Sequence, residues 1–399
     1  MTHTAASLPS RLPLAARPVL AALERLAHGR LRMTLPDGAR LDFGPGGPQA
    51  AIELRDARAF GRILRGGDIG FAEGYLEGEW DTPDLAALLG VLAANREALA
   101  GALHGSLAGR LAQRLLNLLR ANTRAGSRRN IAAHYDLGND FYALWLDAGM
   151  SYSSGLYQGD PSRSLADAQQ AKYEHLLGLL DLPAGRRVLE IGCGWGGFAE
   201  LAAARGLEVT GISLSRRQLE WAERRLAGRG FATGSSLAFL DYRDVRGRFD
   251  AVASIEMLEA VGERWWPSYF AKLAEVLPRG GRAAIQSILI DASLFETYRR
   301  GGDFIRRYIF PGGMLPTMTR IEQAAGRAGF EVAKTLRFGQ DYATTLVAWR
   351  ERFLARRAEV RALGYDERFL RMWNFYLAYC EAGFRAGSTD VAQVLLVKR

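Results

Sequence analysis

The chain has 399 residues, 48 % of them hydrophobic and 24 % charged, which excludes a disordered or collagen-like chain and leaves room for two domains with buried cores. A net charge of +9 suits an acidic partner, either nucleic acid or an anionic membrane surface, and charge alone does not choose between them. Two cysteines, Cys193 and Cys380, imply no disulfide framework and fit a reducing cytoplasm. No apolar run reaches the roughly 20 residues needed to span a bilayer. The first twenty residues lack a continuous apolar stretch before a small-residue cleavage site, so a soluble tail is expected there rather than a signal peptide.

Residues 1–50 are rich in Pro, Gly and Ala, with short strand-like pieces at 31–34 and 40–43. Residues 52–125 read mainly as helices: amphipathic LRDARAFGRILRGG, a Gly-broken GDIGFAEGYLEGEWD, then DLAALLGVLAANREALAGAL. A small, mostly helical N-terminal domain is expected over 1–125. The segment 105–129 stands apart. Its Leu residues recur at helical spacing and its polar face carries Arg but no acid, the pattern of a helix lying on a membrane interface or packing its Leu face on the next domain.

Beyond 130, β-rich runs (RRVLEIG, LEVTGISL, LAFLDY, FDAVASI, GRAAIQSILI) alternate with helical stretches, which predicts an α/β domain with a parallel sheet over 126–399. The region 303–384 is aromatic-rich and reads as irregular, and DVAQVLLVKR reads as a last strand.

The strongest signal is VLEIGCGWGG at 188–197, an apolar strand running into a Gly-rich turn and a helix. Glycines let a backbone turn sharply and approach a ligand closely. A dinucleotide fingerprint needs an acid at the end of the second strand. Here the acid, Glu190, precedes Gly192, Gly194 and Gly196, and the second strand ends in Ser213. This arrangement fits S-adenosylmethionine (SAM) better than NAD. His134 and Asp136 have no third ligand at a metal-like spacing, so no metal is expected.

GDIGFAEGYLEGEWD, HYDLGNDFY, MSYSSGLY, VLEIGCGWGGFAELAA, GISLSRRQ, DYRD, SIEMLEAVG, YIFPGGMLP, FGQDYATTLVAWRERF and RMWNFYLAYCEAGFRAG occur in this order. Together they resemble the cyclopropane-fatty-acyl-phospholipid synthase family, which includes the mycolic acid cyclopropane synthases. The resemblance implies a Rossmann-like SAM-dependent methyltransferase fold with helical insertions covering an acyl channel. It implies cofactor contacts at Tyr152, Ser153, Gly192, Gly194, Ser213, Gln218, Asp241 and Tyr242. It further implies a phospholipid substrate with an unsaturated acyl chain, a cytoplasmic enzyme on the inner face of the membrane and, as family members are often dimers, a homodimer. In the family the double bond attacks the sulfonium methyl, a carbocation forms, and bound bicarbonate removes a proton as the ring closes. Aromatic faces stabilise such a cation, and Tyr376 and Tyr308 are expected to line the site.

The family's bicarbonate is held by a Cys, a Glu, a His and a Tyr. Glu259 and Tyr376 match, but Ser154 and Gln286 replace the Cys and the His, Ala260 replaces a His, and Glu256 replaces a Gly. Ser and Gln still hydrogen-bond an anion, so a bicarbonate site stays open. A second carboxylate would repel bicarbonate or itself be protonated. Two outcomes follow: Glu256 or Glu259 acts as the base and the product is a methyl- or methylene-branched chain, or the enzyme still makes cyclopropane. A nucleic-acid methyltransferase would show Asn-Pro-Pro-Tyr or a nucleophilic Cys where SIEMLEAVG stands, so no nucleic-acid partner is expected. A small-molecule methyltransferase would lack the YIFPGGMLP and FGQDYATTL segments. A non-catalytic lipid- or SAM-binding homologue is opposed by the intact Gly-rich turn, Glu259 and Tyr376.

Overall fold

The computed structural model describes residues 12–103, Gly126 and 137–399. The basic segment at 105–129, Gly126 aside, and the pair His134 and Asp136 lie outside the described residues. The chain divides into two compact units. One comprises Met1–Leu119, Thr297–Ile309 and Arg357–Ala386; the other comprises Arg120–Glu296, Phe310–Arg356 and Gly387–Arg399.

The first unit adds a four-stranded sheet to the expected helices. Its strands are β1 (Gly29–Thr34), β2 (Arg40–Gly46), β3 (Gln49–Leu54) and β4 (Trp80–Asp81), in the order β2-β1-β3-β4. β1 alternates buried and exposed residues, with Leu31 and Met33 turned inward, as a half-buried strand must. The Gly-broken stretch is a helix, Asp68–Leu76. Its glycines are contact points. A Cβ on Gly70 would sit 2.1 Å from the Arg62 carbonyl oxygen of helix Arg58–Gly66, and one on Gly74 would sit 2.9 Å from the Trp80 ring. Glycine costs a helix about 1 kcal/mol relative to alanine, and the close approach it permits offsets that. The long Ala/Leu stretch divides into Leu85–Ala94 and Arg96–Leu103 at Asn95. The Asn95 amide donates to the His28 and Val91 carbonyls and accepts the Ala27 and His28 N–H groups, so its hydrogen bonds tie the break to the chain ahead of β1.

The second unit carries a seven-stranded sheet. Its strands are β5 (Arg187–Ile191), β6 (Glu208–Ser213), β7 (Ser235–Phe239), β8 (Ala251–Ile255), β9 (Arg282–Ile290), β10 (Phe330–Arg337) and β11 (Thr389–Lys398). Their order is β10-β11-β9-β8-β5-β6-β7. The five strands from β9 to β7 run parallel, while β11 is antiparallel to both β9 and β10. Helices Leu165–Leu180 and Gly197–Ala204 bury Leu176, Phe198 and Ala202 in one core with Val188, Val209, Ala251 and Ala253. From β5 the chain winds outward to β6 and β7, then returns to β8 on the other side. The strand order therefore switches at β5/β8, where open α/β sheets bind ligands.

The region 303–384 departs from the irregular structure expected of it. It holds helices Met318–Arg327, Gly339–Ala355, Arg357–Ala362 and Glu367–Arg385, with β10 between the first two. In Gly339–Ala355 the buried Tyr342, Leu346, Trp349 and Phe353 recur at helical spacing. Thr344, Thr345 and Val347 between them are β-branched, favour strands and mask that period. No helix among the described residues is long and apolar enough to cross a membrane.

Candidate active site

The carboxyl ends of β5, β6 and β8 open on one cleft. Of the residues expected at the cofactor, Tyr152, Ser153, Glu190, Gly192, Gly194, Ser213, Gln218 and Tyr242 line it. The turn after β5 needs its glycines. Gly192, Gly194 and Gly196 all have φ between +51° and +85°, where L side chains are strained. Gly192 and Gly196 are also crowded: an added Cβ would lie 2.9 Å from the Met257 side chain and 2.9 Å from Ala222 Cβ, respectively. Gly196 thus seats the turn on helix Arg216–Gly228 and does not line the cleft. At Gly194 a Cβ would meet no atom within 4 Å.

GISLSRRQ forms an N-cap. Ser215 Oγ accepts the Gln218 N–H at 3.3 Å, and Ser213 Oγ donates to Gln218 Oε1 at 3.1 Å, leaving the Gln218 side-chain NH2 as a donor. Asp241 is set apart from the cleft lining. Arg243 holds both its carboxylate oxygens, with Nε at 2.8 Å and Nη2 at 2.6 Å. Glu190 is buried, and burial pushes its pKa up to about 8 against the opposing pull of Lys172 and Arg225. Its Oε2 has no hydrogen-bond partner among the described residues, a buried acceptor facing a site for a cation or donor.

Glu256 occupies the far wall of the cleft, just after β8. Its φ is +49°, so a glutamate holds a conformation that favours glycine, the residue expected there by family resemblance. Three donors grip the carboxylate. Oε1 accepts the Ser154 N–H at 2.9 Å and Gln286 Nε2 at 2.8 Å, and Oε2 accepts the Tyr342 hydroxyl at 2.7 Å. Burial raises its pKa, and these donors and Lys172 work against that shift. Glu259 is held by different donors, the hydroxyl of Ser287 at 2.9 Å and the Ile288 N–H. Gln286 and Ser287 are neighbours on β9, and side chains leave a strand alternately on opposite faces. Burial, then the nearby Glu256 charge, pushes the Glu259 pKa up to about 8, and its Oε2 has no hydrogen-bond partner among the described residues.

Tyr376 and Tyr308 belong to the first unit. Tyr376 packs edge-on against Trp373, and the Tyr308 hydroxyl donates to Glu73 at 2.6 Å. The aromatic wall in the second unit comes from elsewhere. Tyr152 lies 5.3–6.4 Å, centroid to centroid, from Tyr142, Trp145, Trp349 and Phe310.

Sequence reasoning missed Tyr342 and Lys172. Lys172 is fully buried, with Nζ on Ser153 Oγ at 2.6 Å and Gln169 Oε1 at 2.5 Å, while Gln169 Nε2 holds the Ser153 carbonyl at 2.8 Å. Together they clamp the Ser153–Ser154 turn that delivers an N–H to Glu256. Burial lowers the Lys172 pKa to about 8. The signal was a polar pair in step with Leu165, Leu176 and Leu179 on the buried stripe of its helix.

A Gly-rich turn at the switch point, an acid inside the preceding strand and a Ser–Gln cap after the next define a class: the chain is a SAM-dependent methyltransferase, with SAM as co-substrate. Residues 122–394 match the family model for mycolic acid cyclopropane synthetase, and the chain belongs to that family. It is 40 % identical to the tuberculostearic acid methyltransferase UfaA1 of Mycobacterium tuberculosis, over 97 % of this chain and 93 % of that one. It is 33 % identical to the cyclopropane-fatty-acyl-phospholipid synthase of Escherichia coli K12, over 88 % of each. Among solved structures, mycolic acid cyclopropane synthase CmaA1 complexed with SAH and CTAB aligns with a TM-score of 0.64 at 29 % identity, covering 68 % of this chain and 98 % of that one.

Proposed function

We propose that the enzyme methylates a double-bond carbon of unsaturated acyl chains in membrane phospholipids and releases a methyl- or methylene-branched chain, with Glu256 as the base. The observation that carries this reading is the donor set of Glu256. Ser154 and Gln286 stand where the family holds bicarbonate, and both donate to the Glu256 carboxylate. A protein carboxylate thus takes up donors that would otherwise meet the external base.

Bound SAM supplies an electrophilic methyl carbon. As the new C–C bond forms and the S–C bond breaks, positive charge develops on the acyl chain. The ring of Tyr152 and the aromatic residues packed behind it offer faces that stabilise a cation and walls that exclude water. Glu256 Oε1 is engaged by two N–H donors. Oε2 carries one donor and keeps a lone pair for the departing proton, which neutralises the cation as an alkene forms. A net charge of +9 supports docking at an anionic bilayer surface, with the N-terminal region 1–125 making that contact. The similarity to a tuberculostearic acid methyltransferase also favours an acyl substrate. Gas chromatography with mass spectrometry, together with proton NMR, of the lipids of cells expressing the chain tests the reading: branched acyl chains are expected, and cyclopropane chains alone would refute it.

Glu190 is the proposed partner of the co-substrate's ammonium. With its pKa at about 8, it is mostly neutral at pH 6 in the ligand-free protein. Pairing requires the carboxylate, so affinity for S-adenosylhomocysteine should rise by up to about tenfold per pH unit from 6 toward 8 and then level off. Calorimetric titration across that range measures this. Glu190→Gln should flatten the profile, whereas a flat wild-type profile would remove Glu190 from that role.

A further inference from the structure

Two buried amides stand behind Glu256. The antiparallel register of β9 and β11 sets Gln286 directly opposite Gln393, and both are at most 1 % exposed. A primary amide has two N–H donors and one acceptor oxygen, and reversing it exchanges the two ends. Gln393 Nε2 donates to the Lys172 carbonyl at 3.2 Å and to Gln286 Oε1 at 2.9 Å, which uses both its protons. Its Oε1 meets Nδ1 of His175, on helix Leu165–Leu180. That oxygen only accepts, so His175 Nδ1 carries the proton. Gln286 Nε2 then donates to Glu256 Oε1 at 2.8 Å and approaches the Ser154 carbonyl at 3.4 Å. Every donor in the chain His175, Gln393, Gln286, Glu256 points toward the carboxylate.

We propose that His175 and Gln393 are positioning residues for the reaction: they lock the Gln286 amide in the orientation that donates to Glu256. The proposal rests on Glu256 being the base. A reversed Gln286 would turn its oxygen on the Glu256 carboxylate and the Ser154 carbonyl, and its NH2 on the NH2 of Gln393. Both ends would then repel, provided Gln393 is itself held. His175, partly exposed on the helix, holds it. Polarised in one direction, the chain strengthens each successive bond and keeps the base ionised and oriented.

The test uses the full-length enzyme with methyl-labelled SAM and vesicles of monounsaturated phosphatidylglycerol and phosphatidylethanolamine. Gln393→Glu retains the acceptor for His175 but cannot donate to Gln286, and should lower kcat at least about tenfold. His175→Leu, at a partly exposed site, should lower kcat about threefold or more. His175→Gln keeps an N–H at that position and should restore kcat to within about twofold. KM for SAM should stay unchanged in all three, which a loosened fold would not do. If Gln393→Glu does not fold, the His175 pair decides. Wild-type kcat in His175→Leu overturns the proposal. Glu256→Gln, assayed beside them, separates the two ideas. Full activity there refutes the base reading itself, while an inactive Glu256→Gln with a fully active His175→Leu refutes only the lock.

Discussion

Glu256→Gln is expected to lower kcat for the branched product by about 10²–10⁴-fold, the usual worth of a positioned general base. The amide keeps the shape of the carboxylate. Its oxygen still accepts from Ser154 and Gln286, and its nitrogen faces the Tyr342 hydroxyl, which accepts as readily as it donates. Affinity for S-adenosylhomocysteine should therefore remain within a few fold, so that the loss falls on the chemical step. Glu256→Gly goes further. It relieves a glutamate from φ +49° and frees the Ser154 N–H and Gln286 Nε2 to bind a small anion. With added bicarbonate this variant should form cyclopropane chains, read by gas chromatography with mass spectrometry. Bicarbonate-independent turnover of Glu256→Gln at the wild-type rate would contradict both expectations.

Gly194→Val is expected to weaken S-adenosylhomocysteine binding at least about 100-fold by calorimetry. At φ +51° a β-branched residue is strongly disfavoured, at a cost of at least about 1–2 kcal/mol in backbone energy. No protein atom lies within 4 Å of the Cβ position and Gly194 lines the cleft, so the isopropyl group is expected to compete with the co-substrate for space there, in addition to the backbone cost. Circular dichroism should show retained folding. Unchanged affinity would contradict the assignment of this turn to the cofactor.

The α/β domain was legible because strand, glycine turn and helix follow one another with little else between. VLEIG became β5, LEVTGIS became β6, and DVAQVLLVKR became β11. Glu190, Ser213 and Gln218 were legible for the same reason, since their place in the cleft depends on residues adjacent in sequence. The network around Glu256 was not. Its donors come from a loop at 154, a strand at 286 and a helix at 342, and only tertiary folding brings them together. Replacement of a glycine by Glu256 raised the question of a second carboxylate, but not that this carboxylate would hold the donors expected for bicarbonate. Gln393 lies within the apolar run VAQVLLV, and nothing in one dimension shows that this buried amide is the cross-strand partner of Gln286. In the first unit, Gly70 and Gly74 suggested a broken segment because a helix tolerates glycine only where something packs against it, and that neighbour is invisible in one dimension.

The most direct measurement follows the methyl hydrogens. With SAM carrying a trideuterated methyl group and unsaturated phospholipid vesicles, the acyl product is analysed by mass spectrometry and proton NMR. Proton loss from the chain keeps all three deuterons in a methyl branch, and loss from the transferred group leaves two in a methylene branch. The expected result is one of these branched chains, free of ring signals in the NMR spectrum and formed without bicarbonate. A dideuterated cyclopropane as the product of the wild-type enzyme would contradict it.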